Sequence, residues 1–240
     1  MNEEYTLGII SDPHANLLAL ESVLEDMASK YPITKIINIG DLVGYYTQPS
    51  EVLKLCFETC DKIVKGNHDD AAARSFLPTD FNIFAAAALN YTKDVLTTNE
   101  KKQLYTLSTM ETFELEHTTF QMVHGSPEYP LDFYMFDGKD SPTKDQLHLV
   151  EYMELCNLDV IIMGHTHRPY IRTIEKKILC NPGSTGQPRD GLPKPSYIVF
   201  DPVNRKGIIE RVSYDIEIPI RLIDEAGLPK QLGERLRTGK

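Results

Sequence analysis

Five apolar runs in this chain each end abruptly in Asp, Asn or His: GIISDPH at 8–14, IINIGD at 36–41, IVKGNHD at 63–69, FQMVHG at 120–125 and IIMGHTH at 161–167. β-Branched and large apolar residues that give way to such side chains are the pattern of buried strands delivering polar groups to one edge of a sheet. The pattern constrains the fold to one in which these edges meet. IIMGHTH, where glycine is followed by two imidazoles one residue apart, is the stretch around which the rest is organised.

Between these edges, strands alternate with helical patterns. After a strand at Tyr5 to Ile10, Leu17, Leu20, Val23, Leu24 and Met27 form one apolar stripe of a helix over Ala15 to Lys30. A second strand is expected at Lys35 to Ile39, a helix at about Glu51 to Cys60 and a short strand at Asp61 to Lys65. That alternation implies an α/β fold with a parallel sheet, which binds ligands at the carboxyl ends of its strands. Residues 70–108 read as a helical insert. A hairpin follows at Thr112 to Glu116 and Thr119 to Val123, turned near His117 and Thr118. A helix is expected at Thr143 to Leu155, then short strands near Tyr170 to Ile174, Lys177 to Cys180, Tyr197 to Phe200 and Gly207 to Tyr214, making the back half a mainly antiparallel sheet. Leu228, Leu232 and Leu236 suit a short terminal helix within a tail from about residue 215.

Length and charge narrow the function. With 240 residues and ordinary hydrophobic content, one domain over 1–240 suffices. A formal net charge of −10 argues against a basic surface for duplex nucleic acid, while a local cationic or metal-filled pocket still suits a small anion. The start, MNEEYTLGII, lacks the basic region of a secretory signal, and no stretch is long enough to span a bilayer. Cys56, Cys60, Cys156 and Cys180 form no CxxC pair, and a reducing cytoplasm fits them best.

The chain has seven histidines, of which only His117 and His148 fall outside the strand-end motifs. The other five stand with Asp12, Asp41 and Asn67. Mixed imidazole, carboxylate and amide ligands suit Mn, Fe, Zn or Ni. If their segments are extended, Asp12 and His14 share one face, and so do His165 and His167. The irregular run GSPEYPLDFYMFDGKDSP after His124 reads as a lid or binding loop whose Tyr129 and Tyr134 stack on a base, cap the core or form a dimer contact. Arg74 is either an anion contact or a solvated surface charge. The run NPGSTGQPRDGLP at 181–193 is either a surface turn or a set of amides facing an anion, with Arg189 as a phosphate contact.

Asp12-Xaa-His14, Gly40-Asp41, Gly66-Asn67-His68-Asp69, His124-Gly125 and Gly164-His165-Thr166-His167, in that order, resemble the motif set of the calcineurin-like metallophosphoesterases, closest to their small prokaryotic phosphodiesterase-like branch. The resemblance runs from about residue 6 to 214. It implies a four-layer αββα sandwich of two mixed β-sheets flanked by helices, holding two divalent metal ions, manganese above all. Carried over by position, one ion takes Asp12, His14, Asp41 and His167, and the other takes Asp41, Asn67, His124 and His165. A hydroxide shared by both ions would attack phosphorus in line, with His68 serving the leaving oxygen or the phosphoryl charge. Asp69 either orients His68 or caps the following helix.

The expected activity is hydrolysis of phosphodiester or phosphomonoester bonds in a small phosphate ester, with a nucleotide as the leading class and no membrane partner. Dinucleoside polyphosphate hydrolysis, protein phosphatase activity and a non-enzymatic scaffold are the alternatives, and a homo-oligomer is compatible with all of them.

Overall fold

The computed structural model describes residues 6–74, 81–138 and 140–240. Tyr5 of the expected first strand, residues 75–80 of the expected helical insert and residue 139 of the aromatic loop lie outside them. The strand-end motifs fall on β1 (Leu7–Ile10), β2 (Lys35–Asn38), β3 (Lys62–Ile63), β5 (Thr118–Val123) and β6 (Val160–Ile162), with β4 (Met110–Leu115) completing the expected hairpin. β7 (Tyr170–Ile174), β8 (Lys177–Asn181), β9 (Ser196–Asp201) and β10 (Lys206–Arg211) follow. The hairpin closes on Glu116 and His117, with φ of 48° and 62°. Positive φ at both positions is the requirement of a two-residue type I′ turn.

These strands form two five-stranded sheets, ordered β10-β9-β1-β2-β3 and β4-β5-β6-β8-β7. The first is parallel from β1 to β3 and antiparallel at β9 and β10. In the second, β5, β6 and β8 run parallel, with β4 and β7 antiparallel at the edges. Most back-half pairings are antiparallel, as expected, but the expectation that they make one sheet is corrected: β7 and β8 lie in the second sheet, β9 and β10 in the first. The β9–β10 hairpin pairs antiparallel with β1, while β5, β6 and β8 of the second sheet run parallel.

Alternating side chains separate the layers. Leu7, Ile9 and Ile37 pack between the sheets with Phe120, Met122, Val160 and Ile162. Ile10 and Val199 face outward onto α1 (Leu17–Lys30) and α2 (Pro49–Thr59) through Leu20, Val23, Val52 and Leu53. On the far side, Ile161 and Leu179 meet Leu149 and Met153 of α6 (Lys144–Leu155). The layers are thus helix, sheet, sheet, helix, the αββα sandwich. α3 (Asn67–Ala73), α4 (Ile83–Val95) and α5 (Thr98–Thr106) occupy the expected helical stretch. The tail carries α7 (Glu217–Glu225) as well as the expected terminal helix, α8 (Gln231–Thr238). Ile220, Ile223, Leu232 and Leu236 of these two helices bury against Tyr45 and Tyr46, in the loop that leaves β2.

Candidate metal centre

Immediately beyond their strands, the motif residues leave extended geometry. Asp12, His14, Asp41, His165 and His167 have φ of 53°, 48°, 55°, 66° and 56°. Left-handed backbone costs non-glycine residues of order 1–3 kcal/mol each, and it persists only where surroundings over-determine it. The extended-face reading of Asp-Xaa-His and His-Thr-His is corrected accordingly: the side chains converge because the backbone reverses, not because alternate residues share a face. Hydrogen bonds hold the reversals. Asp12 N–H donates to the Gly40 carbonyl at 2.9 Å and His14 N–H to the Asp41 carbonyl at 3.0 Å.

The run 181–193, for which a surface turn was one reading, supplies the rest of that support. Residues 181–188 are buried. Thr185 N–H donates to the Ser11 carbonyl at 2.8 Å and Gly186 N–H to the Asp12 carbonyl at 3.0 Å, with the Ser184 hydroxyl on Asp12 at 2.8 Å. These donors are spent on the loop carrying Asp12 and His14, so they do not face an anion.

Two carboxylates lie at the centre. His167 Nε2 is 3.1 Å from Asp12 Oδ1, His124 Nε2 is 3.3 Å from Asp41 Oδ2, and His14 Nε2 is 3.6 Å from Asp41 and 3.7 Å from Asp12. His165 Nδ1 lies 3.2 Å from His124 Nε2. Donor atoms fall into the sets Asp12, His14 and His167; His14, Asp41 and His68; and Asp41, His124 and His165, each within 4.8 Å. Asp41 belongs to the second and third sets, and its other oxygen accepts from His68 N–H at 2.8 Å.

The outer ring nitrogens fix the tautomers. His14, His124 and His167 set Nδ1 at 3.0, 2.7 and 2.5 Å from the carbonyls of Val43, Ile39 and Gln187. A carbonyl only accepts, so each Nδ1 carries a proton; in neutral His14 and His167 a bare Nε2 lone pair then turns inward, whereas His124 turns its Nε2 toward Asp41. His14 Nε2 and His167 Nε2 then face one another at 3.2 Å. Burial pushes His14 and His167 down and His165 to about 3. Burial also opposes the charged form of His124, but Asp41 and Asp12 overcome it and raise that imidazole to about 10. Burial would raise both carboxyls, yet His167 and His124 hold Asp12, and His124 and His68 hold Asp41, below the usual carboxylate range. Two buried carboxylates thus face one imidazolium, and Asp12 Oδ1 and Asn67 Oδ1 are buried without a hydrogen-bond partner. Such a set of unpaired, inward-facing nitrogen and oxygen donors fits first-row divalent cations.

Close backbone approach makes the crowding feasible at two glycines. A Cβ on Gly164 would stand 2.5 Å from Ser11 Oγ and 3.1 Å from Asp12 Oδ2, and one on Gly66 would stand 2.0 Å from Asp41 Oδ1.

His68 is buried, with its ring 4.6 Å from Tyr45, 4.5 Å from Phe81 and 4.8 Å from His14. Its Nδ1 has no partner. Burial first, then Arg189 and the neighbouring imidazoles, push it down to about 4. Asp69 is not its orienting partner: its two oxygens accept from Gly66 N–H at 3.0 Å and Val43 N–H at 3.2 Å, which caps α3 and ties down the loop after Asp41. Tyr45 and Phe81, which sandwich the imidazole, were not singled out in the sequence; the GDLVGYY run held the signal for Tyr45.

A cavity of about 100 Å³ opens here, lined by Tyr45, Asn67, His68, Phe81, Tyr134 and His165 among others. Tyr134 stacks on His165 at 3.9 Å and lies parallel to Phe136 at 6.0 Å. Arg189 sits 5.5 Å from the Tyr45 ring. Tyr129 is elsewhere, stacked on Phe133 in a second cavity of about 390 Å³ lined also by His148, Leu149 and Tyr152. The larger cavity shares no lining residue with the carboxylate–imidazole cluster, so size does not locate the chemistry. Arg74 is exposed, its guanidinium on Asp70 at 2.5 Å.

Residues 6–205 match the family model described as "Calcineurin-like phosphoesterase superfamily domain". The chain belongs to that superfamily. It is 34% identical over 252 aligned residues to an uncharacterized protein of Methanocaldococcus jannaschii, covering 98% of each chain. The crystal structure of a metallophosphoesterase from Sphaerobacter thermophilus superposes with a TM-score of 0.79 at 30% identity, over 99% of this chain and 100% of that one. A hypothetical protein from Pyrococcus horikoshii OT3 shares the fold with a TM-score of 0.88 at 22% identity, over 98% and 99% of the two chains. Metal-dependent phosphoester hydrolysis is the chemistry general to the family.

Proposed function

We propose that the chain, acting as a single catalytic unit, hydrolyses phosphodiester or phosphomonoester bonds of small phosphate esters, with nucleotides as the leading class. The observation that carries the reading is the set of buried carboxylates and bare imidazole nitrogens facing one another without enough positive charge between them. Asp12, His14, Asp41 and His167 would hold one divalent ion and Asp41, Asn67, His124 and His165 the second, with manganese suited to the mixed donors. When bound, such ions supply an acidified water for in-line attack and offset charge developing on phosphorus.

The protein's own residues do the rest. Neutral His68, held between Tyr45 and Phe81, donates a hydrogen bond to the phosphoryl or leaving oxygen. Arg189 places a fixed positive charge against the Tyr45 ring, near enough to act on His68, and attracts a phosphate. Tyr134, stacked on His165 and 48% exposed, offers the exposed part of its ring to a base. Tyr129 and Arg74 are not needed for this arrangement. A formal charge of −10 keeps duplex nucleic acid away, and four free cysteines fit a reducing, cytoplasmic setting. Among the described residues no helix is long and apolar enough to cross a membrane.

The test uses metal-stripped protein with manganese added back, assayed on a chromogenic bis-aryl diester, a chromogenic monoester and a dinucleoside tetraphosphate. Manganese-restored turnover of the diester or monoester supports the reading. Absence of turnover on all three favours a scaffold, and exclusive turnover of the tetraphosphate favours a polyphosphate hydrolase.

A further inference from the structure

Arg235, in α8 of the tail, is brought beside the candidate centre by folding alone. Leu232 and Leu236 on either side of it bury against Tyr45 and Tyr46. The end of α8 is fixed to the Arg189 turn, where Gly191 N–H donates to the Gly239 carbonyl at 2.8 Å. This docking sets the Arg235 guanidinium 6.0 Å from the Tyr45 ring, while the Arg189 guanidinium lies 5.5 Å from the same ring. That ring is in turn 4.6 Å from His68 and 4.7 Å from His14.

Neither guanidinium has a carboxylate partner among the described residues. Arg189 bonds only the neutral amide oxygen of Gln187, at 2.7 and 3.1 Å, and Arg235 Nη1 is buried with no partner at all. Other arginines of the chain, Arg205, Arg211 and Arg237 among them, are paired with acids. A buried guanidinium nitrogen left without an acceptor, as Arg235 Nη1 is, forfeits a hydrogen bond that water would have supplied. Both guanidiniums lie against one ring, Tyr45, and concentrate positive charge there. In a chain with 35 acids against 25 bases, an uncompensated pair at one place is a local reversal of the overall charge.

We propose that Arg189 and Arg235 form an anion subsite next to the reacting centre, which selects phosphate esters carrying a second phosphate group. This rests on the hydrolase reading above and deepens it by naming what the non-reacting part of the substrate bears. Arg189 serves the near side, and the tail helix supplies Arg235 as a specificity-determining residue. Guanidinium forks match phosphate oxygens with paired N–H donors, so the pair would grip a phosphate rather than merely attract it.

The experiment measures binding separately from turnover. Calorimetry compares thymidine 3′,5′-bisphosphate with thymidine 5′-monophosphate on manganese-loaded wild-type protein, on Arg235→Met and Arg189→Met, and on Arg235→Lys. Methionine keeps an unbranched apolar stem against the Tyr45 loop, and circular dichroism checks that each variant is folded. Wild type is expected to bind the bisphosphate at least tenfold more tightly than the monophosphate. Both Met variants should lose that preference, and Arg235→Lys should keep part of it. Equal binding of the two ligands by wild type, or an undiminished preference in folded Arg235→Met, overturns the proposal. A second arm compares turnover of the 5′-p-nitrophenyl esters of the same two nucleotides. Turnover of neither ester, with the binding preference intact, would sink the hydrolase reading while leaving the subsite standing.

Discussion

Replacing Gly66 by alanine probes the position of Asp41 with a single methyl group. The backbone at Gly66 has φ −93° and ψ 175°, which alanine adopts freely, so the perturbation is steric. The new Cβ would lie 2.0 Å from Asp41 Oδ1, 2.6 Å from its Cγ and 2.4 Å from its backbone nitrogen, where ordinary contact is 3.4–4 Å. The carboxylate, or the 66–67 backbone that carries Asn67, must retreat by roughly 1 Å, and a misplacement of that size costs ~10²-fold in rate where reacting groups are aligned. Losing the hydrogen bond from His68 N–H to Asp41, 2.8 Å long, adds about 1–3 kcal/mol of destabilisation. An alanine N-cap adds ~1 kcal/mol. The sum lies within the 5–15 kcal/mol or so of an ordinary domain, so the variant folds. Elemental analysis after manganese loading should show less than the wild-type metal content, and turnover of a chromogenic diester should fall about 10²-fold. Full metal content with turnover within about threefold of wild type would refute the placement of Asp41 at the centre.

Three further outcomes follow from the same geometry. His68→Ala should lower turnover by ~10²–10⁴-fold with metal content retained, and joint loss of metal would show that His68 is itself a ligand. Tyr134→Ala should raise KM for nucleotide esters by roughly 5–100-fold, as loss of one stacking face predicts, and an unchanged KM in steady-state assays would remove the base-stacking role. Asp69→Asn keeps one acceptor oxygen for two N–H donors, so a urea melt should show about 1–3 kcal/mol less stability while the pH–rate profile keeps its shape. A displaced profile would restore Asp69 as the group that tunes His68.

Much of this was legible in the chain because burial and chemistry alternate sharply along it. Ile9 and Ile10 point to opposite sides of one sheet, and the polar residues that follow stand at its carboxyl edge, so the strands and the cluster could be read together. The membership of β9 and β10 could not. Their alternation is the same whichever sheet they join, and the pairing of Ile198 with Ile9 is decided by three-dimensional closure. GSTGQP has the composition of a solvated turn, yet its donors are consumed by carbonyls of Ser11 and Asp12 far upstream. Helix α7 was hidden by Pro219 near its start, a position where proline is tolerated. Arg235 gave no local signal, because its neighbours Tyr45 and Arg189 are distant in sequence.

Crystals grown with manganese, with data collected on either side of its absorption edge, test the central claim most directly. Two anomalous peaks are expected roughly 3.5–4 Å apart, with Asp41 between them, Asp12, His14 and His167 on one, and Asn67, His124 and His165 on the other. A single peak, peaks held by other residues, or none at saturating manganese would contradict that claim.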